Sequence, residues 1–147
     1  MEKTAARDYL EVAAAHGVQY IFGLPGTSGG DFVGTIAEQR NIRFILALHE
    51  TCVVSMADGY ARATGRPTLA QVSTLPGTAN SVGALYDAYR DRSPVVVTST
   101  QVDERITGRD SHTEGRDLPE VARQFTKWSW EVHRSDRIPE ALNRAFK

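Results

Sequence analysis

Glu50 stands where the apolar run Phe44-Ile45-Leu46-Ala47-Leu48 gives way to a helix-spaced stretch that starts at Thr51 and reaches Arg62. A carboxylate at the carboxyl end of a buried parallel strand lies where open α/β sheets bind their ligands. Taking that charge out of water is costly without a paired or hydrogen-bonded partner, so the position implies one. Desolvation disfavours the charged form there, while a helix start favours it. A carboxyl group held between these effects can share a proton with a neighbouring base. Leu46, Ala47 and Leu48 before it, and Cys52, Val53 and Val54 after it, predict little solvent-facing surface nearby. The plainer alternative is a solvated glutamate that complements the helix dipole.

Two other groupings could do chemistry. Cys52 falls in the first turn of the same helix, three residues past His49. A thiol there, activated by an imidazole, would make a cysteine nucleophile. The competing reading is a small thiol that fills space. The turn from Gly23 to Gly30 offers backbone amides with Thr27 and Ser28 to a ligand at the sheet edge. Its glycines at 23, 26 and 29 lack the dinucleotide spacing, and no Gly-Lys-Ser/Thr ends it. As structure alone, it is a tight strand-to-helix passage. Trp128 and Trp130 alternate along one side of an extended segment and suit packing, and His112 and His133 have no partners at metal-ligand spacing.

The elements that must position these groups alternate strand and helix. Ala6, Leu10, Ala13 and Ala14 follow helical spacing up to a stop at Gly17. Strands are expected over residues 18–22, 42–48, 68–73 and 94–98, with a short helix over 31–39. Val53, Met56, Ala57, Tyr60, Ala61 and Thr64 form one helix face, closed by Gly65 and Pro67. Residues 76–80 read as a turn into a helix bearing Val82, Leu85, Tyr86 and Tyr89. Residues 101–117 are polar and too long for an ordinary connection, which marks a functional or interfacial loop. A helix over 118–125, an extended stretch over 127–133 and a last helix through Ile138, Ala141, Leu142, Ala145 and Phe146 complete the pattern. Apolar strands alternating with helices predict a doubly wound α/β fold with a mainly parallel sheet covered on both faces.

The chain of 147 residues fits one domain, 1–147. Its 17 basic and 18 acidic residues are spread without a stripe or tail, which argues against nucleic acid as a partner. One cysteine excludes an internal disulfide and multi-cysteine metal sites. Without an apolar amino-terminal core or a run of membrane-spanning length, a cytoplasmic protein is expected.

Phe22-Gly23-Leu24-Pro25-Gly26, Leu48-His49-Glu50 with the Ala57-Asp58-Gly59-Tyr60-Ala61-Arg62 helix, Pro76-Gly77-Thr78-Ala79-Asn80, Pro94-Val95-Val96-Val97 and Gln101-Val102 follow in that order. In this the chain resembles the amino-terminal pyrimidine-binding domain of thiamine-diphosphate-dependent enzymes, in the acetolactate synthase and benzoylformate decarboxylase branch. The resemblance runs over essentially the whole chain and implies a flavodoxin-like sheet. It implies that Glu50 hydrogen-bonds N1′ of the aminopyrimidine, raising the ring's basicity so that a proton can leave thiazolium C2 and a 2-keto acid can be attacked. It places Pro25, Gly26, Ser73, Gly77 and Asn80 around the cofactor, and leaves Thr27, Ser28 and Gln101 as candidates for substrate contact. Some decarboxylases of the family carry a histidine where Ser73 stands; serine cannot relay protons near neutrality as imidazole does, which favours synthase-like or oxidase-like chemistry.

The family binds the diphosphate through Mg2+ in a second domain marked by Gly-Asp-Gly, and no stretch here offers that motif. Asp58-Gly59 sits inside a helix and is no substitute. The resemblance therefore implies half a site, a diphosphate-binding domain or subunit as partner, and a homo- or hetero-oligomer. Alone the chain should bind the cofactor weakly and turn over nothing. A split-enzyme subunit and a piece of a longer protein both fit, the end at Lys147 favouring a piece. FAD, found in the synthase branch, is not decided by these residues. A non-catalytic dimerisation module, using the sheet edge and the 101–117 loop, is the remaining alternative.

Overall fold

The computed structural model describes residues 4–26 and 30–147. The four apolar runs become β1 (Tyr20–Gly23), β2 (Arg43–Leu46), β3 (Thr68–Ser73) and β4 (Val95–Thr100). All pair in parallel, in the order β2-β1-β3-β4. In register, Ile21 lies opposite Phe44 and Leu69, and Leu69 opposite Val96. Boundaries shift from expectation for local reasons. Val18 donates to Ala13 O at 3.1 Å and so belongs to the preceding helix stop. β2 ends at Leu46 because the chain beyond turns to cap a helix.

Helices connect the strands: α1 (Ala5–Ala15), α2 (Gly30–Glu38), α3 (Glu50–Thr64), α4 (Thr74–Asp91), α5 (Leu118–Ala122) and α6 (Ile138–Ala145). α1 starts on a Thr4 hydroxyl that accepts from Arg7 N–H, and stops before Gly17 at φ +80°. α3 ends at Gly65, whose φ of +66° lets its N–H reach Ala61 O at 2.8 Å.

Alternation along the strands divides the core in two. Ile21 and Leu69 pack with Tyr9, Leu10, Ala13 and Leu142 on one face. Phe22, Ala70 and Val72 pack with Val53, Val54, Ala57, Ala84 and Leu85 on the other. Val53 and Val54 are wholly buried, each worth about 1.5–3 kcal/mol relative to exposure. Both faces are thus covered, as the apolar strands predicted. β2 and β4 are the edges; Leu46 on β2 is 62% exposed.

Polar groups inside the fold are paired. Thr98 Oγ1 donates to Gln71 Oε1 at 2.6 Å, so the Tyr9 hydroxyl, 3.0 Å away, must donate to Thr98. Burial pushes the Tyr9 phenol well above its ordinary range. Asp58, buried in α3, accepts from Ser93 Oγ beyond the end of α4, and Arg62 bridges Asp58 at 3.8 Å and Asp91 at 2.8 Å. The Asp58-Gly59 pair is thus a tie between helices. Residues 127–133 carry no strand pairing; Trp128 and Trp130 meet edge to face at 5.9 Å, with the Arg144 guanidinium over Trp128. No described helix is long and apolar enough to cross a membrane.

Candidate functional site

In the order β2-β1-β3-β4 the chain changes direction across the sheet between β1 and β3. At such a switch point the segments leaving the two carboxyl ends diverge and open a crevice. The segment after β1 is Leu24-Pro25-Gly26, anchored by Leu24 N–H donating to Gln71 O at 3.0 Å. A Cβ on Gly26 would lie 2.1 Å from Ser73 Oγ, so only glycine lets this turn press onto the end of β3. Gly26 and Ser73 are therefore in contact, with Pro25 next to them in the chain. Thr27 and Ser28 lie outside the described residues.

Glu50 is the first residue of α3, whose start is fixed by His49: its Nδ1 accepts from Thr51 N–H at 3.2 Å. The Glu50 carboxyl points across to α4. Asn80 Nδ2 donates to Oε2 at 3.0 Å, and Thr51 Oγ1 donates to Asn80 O at 2.7 Å, so α3 and α4 are stitched together here. A Cβ on Gly77 would stand 3.0 Å from Oε1 and 3.2 Å from Cγ. Among the described residues none donates a hydrogen bond to Oε1. One carboxyl oxygen is held and the other faces a glycine.

The expectation of little solvent near Glu50 is overturned. Glu50 is half-buried, Leu48 is 93% exposed, and Cys52 is exposed. The cause is β2's place at the sheet edge, where the residues after it have a neighbour on one side only. Cys52 is not the space-filling thiol that its type suggested, and no hydrogen bond joins it to His49, whose Nδ1 caps the helix.

The turn expected over 76–80 is absent, because α4 begins at Thr74, directly after β3. Pro76 and Gly77 lie in its first turn, where backbone N–H groups have no intrahelical acceptor and proline is tolerated. So abrupt a junction needs Thr74 in the left-handed region, φ +47°. A β-branched residue there is strained by on the order of 1–3 kcal/mol. Sequence reasoning had no way to flag it, since residue type argues against that conformation. Thr74 O receives the Thr78 hydroxyl at 2.7 Å and the Ser99 hydroxyl at 3.3 Å.

Gln101, a candidate for substrate contact, makes its hydrogen bonds here within the polar loop. Its Nε2 donates to Gly115 O at 2.9 Å and its Oε1 accepts from Val102 N–H. Thr113 O then accepts from Leu75 N–H at 3.4 Å, and Gly115 lies against Leu75 and Leu118. The loop folds back onto the start of α4. A hollow of about 490 Å3, lined by Gly17, Gln19, Asn41 and Arg66 among others, lies at the opposite, amino-terminal end of the sheet. Beside Glu50 the surface is open, with Leu46, Leu48 and Cys52 exposed.

Residues 3–121 match the family described as thiamine pyrophosphate enzyme, N-terminal TPP binding domain. This chain belongs to that family. As a TPP-binding domain it is 34% identical over 145 residues to a benzoylformate decarboxylase from Pseudomonas aeruginosa, covering 99% of this chain and 27% of the relative. It is 38% identical over 130 residues to an acetolactate synthase large subunit from Haemophilus influenzae, covering 88% and 22%. Among solved structures, a putative thiamin diphosphate-dependent enzyme from Mycobacterium smegmatis superposes with a TM-score of 0.92 at 30% identity, covering 99% of this chain and 28% of that one. A 4-hydroxybenzoylformate decarboxylase from Rhodococcus jostii gives 0.92 at 31%, covering 98% and 27%. The TPP-binding domain thus spans about a quarter of the length of these relatives. Both branches named from the sequence are represented, so the comparisons do not divide them.

Proposed function

We propose that this domain holds the aminopyrimidine ring of thiamine diphosphate against Glu50, and that the completed enzyme acts on 2-keto acids. The observation that carries this reading is the pair of unequal oxygens on Glu50. Oε2 accepts from Asn80 and is thereby disfavoured as the proton's seat. Oε1, which faces Gly77 and lacks a described donor, is the oxygen able to carry a proton toward a ring nitrogen.

The residues fit such a group. Gly77 leaves open the space beside the carboxyl that a side chain would fill. The close seat of Gly26 on Ser73 keeps the facing wall of the crevice thin. Pro25, Gly26, Ser73, Gly77 and Asn80 would then border the ring. The bound cofactor supplies a thiazolium that stabilises the carbanion left by decarboxylation. The protein supplies placement and a proton at Oε1. Leu46 and Leu48 on the open rim mark where a diphosphate-binding half, bringing Mg2+, would close over the carboxyl and strengthen its interactions by excluding water. Thr27 and Ser28 remain candidates for substrate contact on the β1 side.

The test is hydrogen–deuterium exchange at cofactor C2 in the completed enzyme, with calorimetric titration of the cofactor alongside. Glu50→Gln keeps shape and loses the acid, and exchange should slow by about 10²–10⁴-fold, the usual worth of a positioned acid–base group. Wild-type exchange in a variant that still binds the cofactor would refute the assignment.

A further inference from the structure

We infer that Thr78, assisted by Ser99, is a positioning residue: its buried hydroxyl holds the Thr74 carbonyl, so that the strained β3–α4 junction presents Gly77 and Asn80 squarely to Glu50. The inference rests on the reading of Glu50 given above and adds a residue to which the cofactor reading assigns no role.

The argument starts from the strain. A residue kept in an unfavourable backbone region persists only where its surroundings over-determine it, and such sites concentrate where geometry matters for function. Thr74 is 3% exposed and sits at φ +47°. Thr78 Oγ1 lies 2.7 Å from Thr74 O and 2.8 Å from Ser99 Oγ, which itself reaches Thr74 O at 3.3 Å. Two hydroxyls, one from α4 and one from β4, thus close a triangle with one carbonyl. Ser81, wholly buried, donates to Thr78 O at 2.8 Å and fixes the next turn. On the other side Thr113 O holds Leu75 N–H. The clamped stretch is followed at once by Gly77, whose Cα hydrogens face Glu50 Oε1, and one helical turn along by Asn80 on Oε2. If the junction relaxed toward a commoner conformation, the first turn of α4 would rotate and both contacts on the carboxyl would shift together.

Thr78→Val removes the hydroxyl and keeps the shape, whereas Thr78→Ser keeps the hydroxyl. In the chain alone, amide hydrogen exchange at Leu75 and Gly77 should quicken by at least about tenfold in Thr78→Val while amides of α1 and α6 stay as they were, a local opening and not a global one. In the completed enzyme, C2 exchange at saturating cofactor should fall by about tenfold in Thr78→Val and recover to within about threefold of wild type in Thr78→Ser. A folded Thr78→Val chain with unchanged exchange at Leu75 and Gly77, or with wild-type C2 exchange, would overturn the inference. Uniform quickening across all helices would do the same, because it marks a purely structural role. If Thr78→Val does not fold, Ser99→Ala takes its place, with a smaller loss of the same kind expected and wild-type behaviour in both readouts overturning the inference. Glu50→Gln, run in parallel, separates the two levels: wild-type C2 exchange there sinks the Glu50 reading, whatever Thr78 does.

Discussion

Asn80 gives the Glu50 carboxyl its asymmetry, and glycine at position 77 gives it room. Asn80→Ala should therefore slow C2 exchange by about tenfold, the equivalent of losing one hydrogen bond to an ionisable group. Asn80→Asp, which replaces the donor with a carboxylate facing Oε2, should slow it further; wild-type rates in both variants would show that the amide N–H is not the active feature. Gly26→Ala brings a Cβ within 2.1 Å of Ser73 Oγ and 2.9 Å of Ser73 Cβ. Overpacking of this kind costs about 1–3 kcal/mol, and Ser73→Gly in the same chain should restore most of it in urea unfolding. The place of Glu50 at the start of α3 was legible because an apolar run gives way there to helical spacing. Its surroundings were not legible: the run around it reads as buried, but an edge strand exposes what a central strand would cover, and strand order is a property of pairing between distant segments.

At the scale of elements, helix ends and strand cores followed the sequence, and the junctions did not. Pro76-Gly77 carries the composition of a turn yet occupies the first turn of α4, since the groups that proline lacks are the ones a helix start leaves unpaired. The polar loop was recognised by its length, but its folding back depends on Gln101, Thr113 and Gly115 meeting partners that sequence spacing does not reveal. Within that loop Asp103 caps the 3-10 turn Glu104–Ile106, and the Arg105 side chain, hydrogen-bonded to it, holds its carboxyl at about 2. A folded-state value below the ordinary one means that the turn is favoured above pH 3.8 and loses that support as pH falls through about 2. A carbon-13 titration of Asp103 should show the low midpoint, and Arg105→Ala should return it toward 3.8. Tyr9 runs the opposite way. Its phenol keeps its proton in the fold where an unfolded tyrosine would lose it, so above pH 10.0 the unfolded chain binds fewer protons and stability falls. Tyr9→Phe should flatten that alkaline decline in urea midpoints.

For the whole molecule, the doubly wound architecture was legible because short strands with apolar centres alternate with striped helices. The chain spans about a quarter of its relatives' length, and the half-site expected from the missing Gly-Asp-Gly motif can be tested at the exposed Leu48. Leu48 is 93% exposed, so Leu48→Asp should leave the thermal midpoint of the chain alone nearly unchanged, within about 0.5 kcal/mol as for most surface changes. The same substitution should weaken assembly with a diphosphate-binding half, read by analytical ultracentrifugation. Calorimetry of the chain alone should show only weak uptake of thiamine diphosphate with or without Mg2+; tight, metal-dependent uptake would contradict the half-site.

The two stitches between α3 and α4 lie at opposite ends of the pair: Glu50 and Thr51 with Asn80, then Asp58 and Arg62 with Ser93 and Asp91. A plank nailed at both ends cannot splay. Ties at both ends hold the Glu50 carboxyl and the Asn80 amide that grips it at one mutual angle, set when the two helices pack and kept for the ring proposed to meet them.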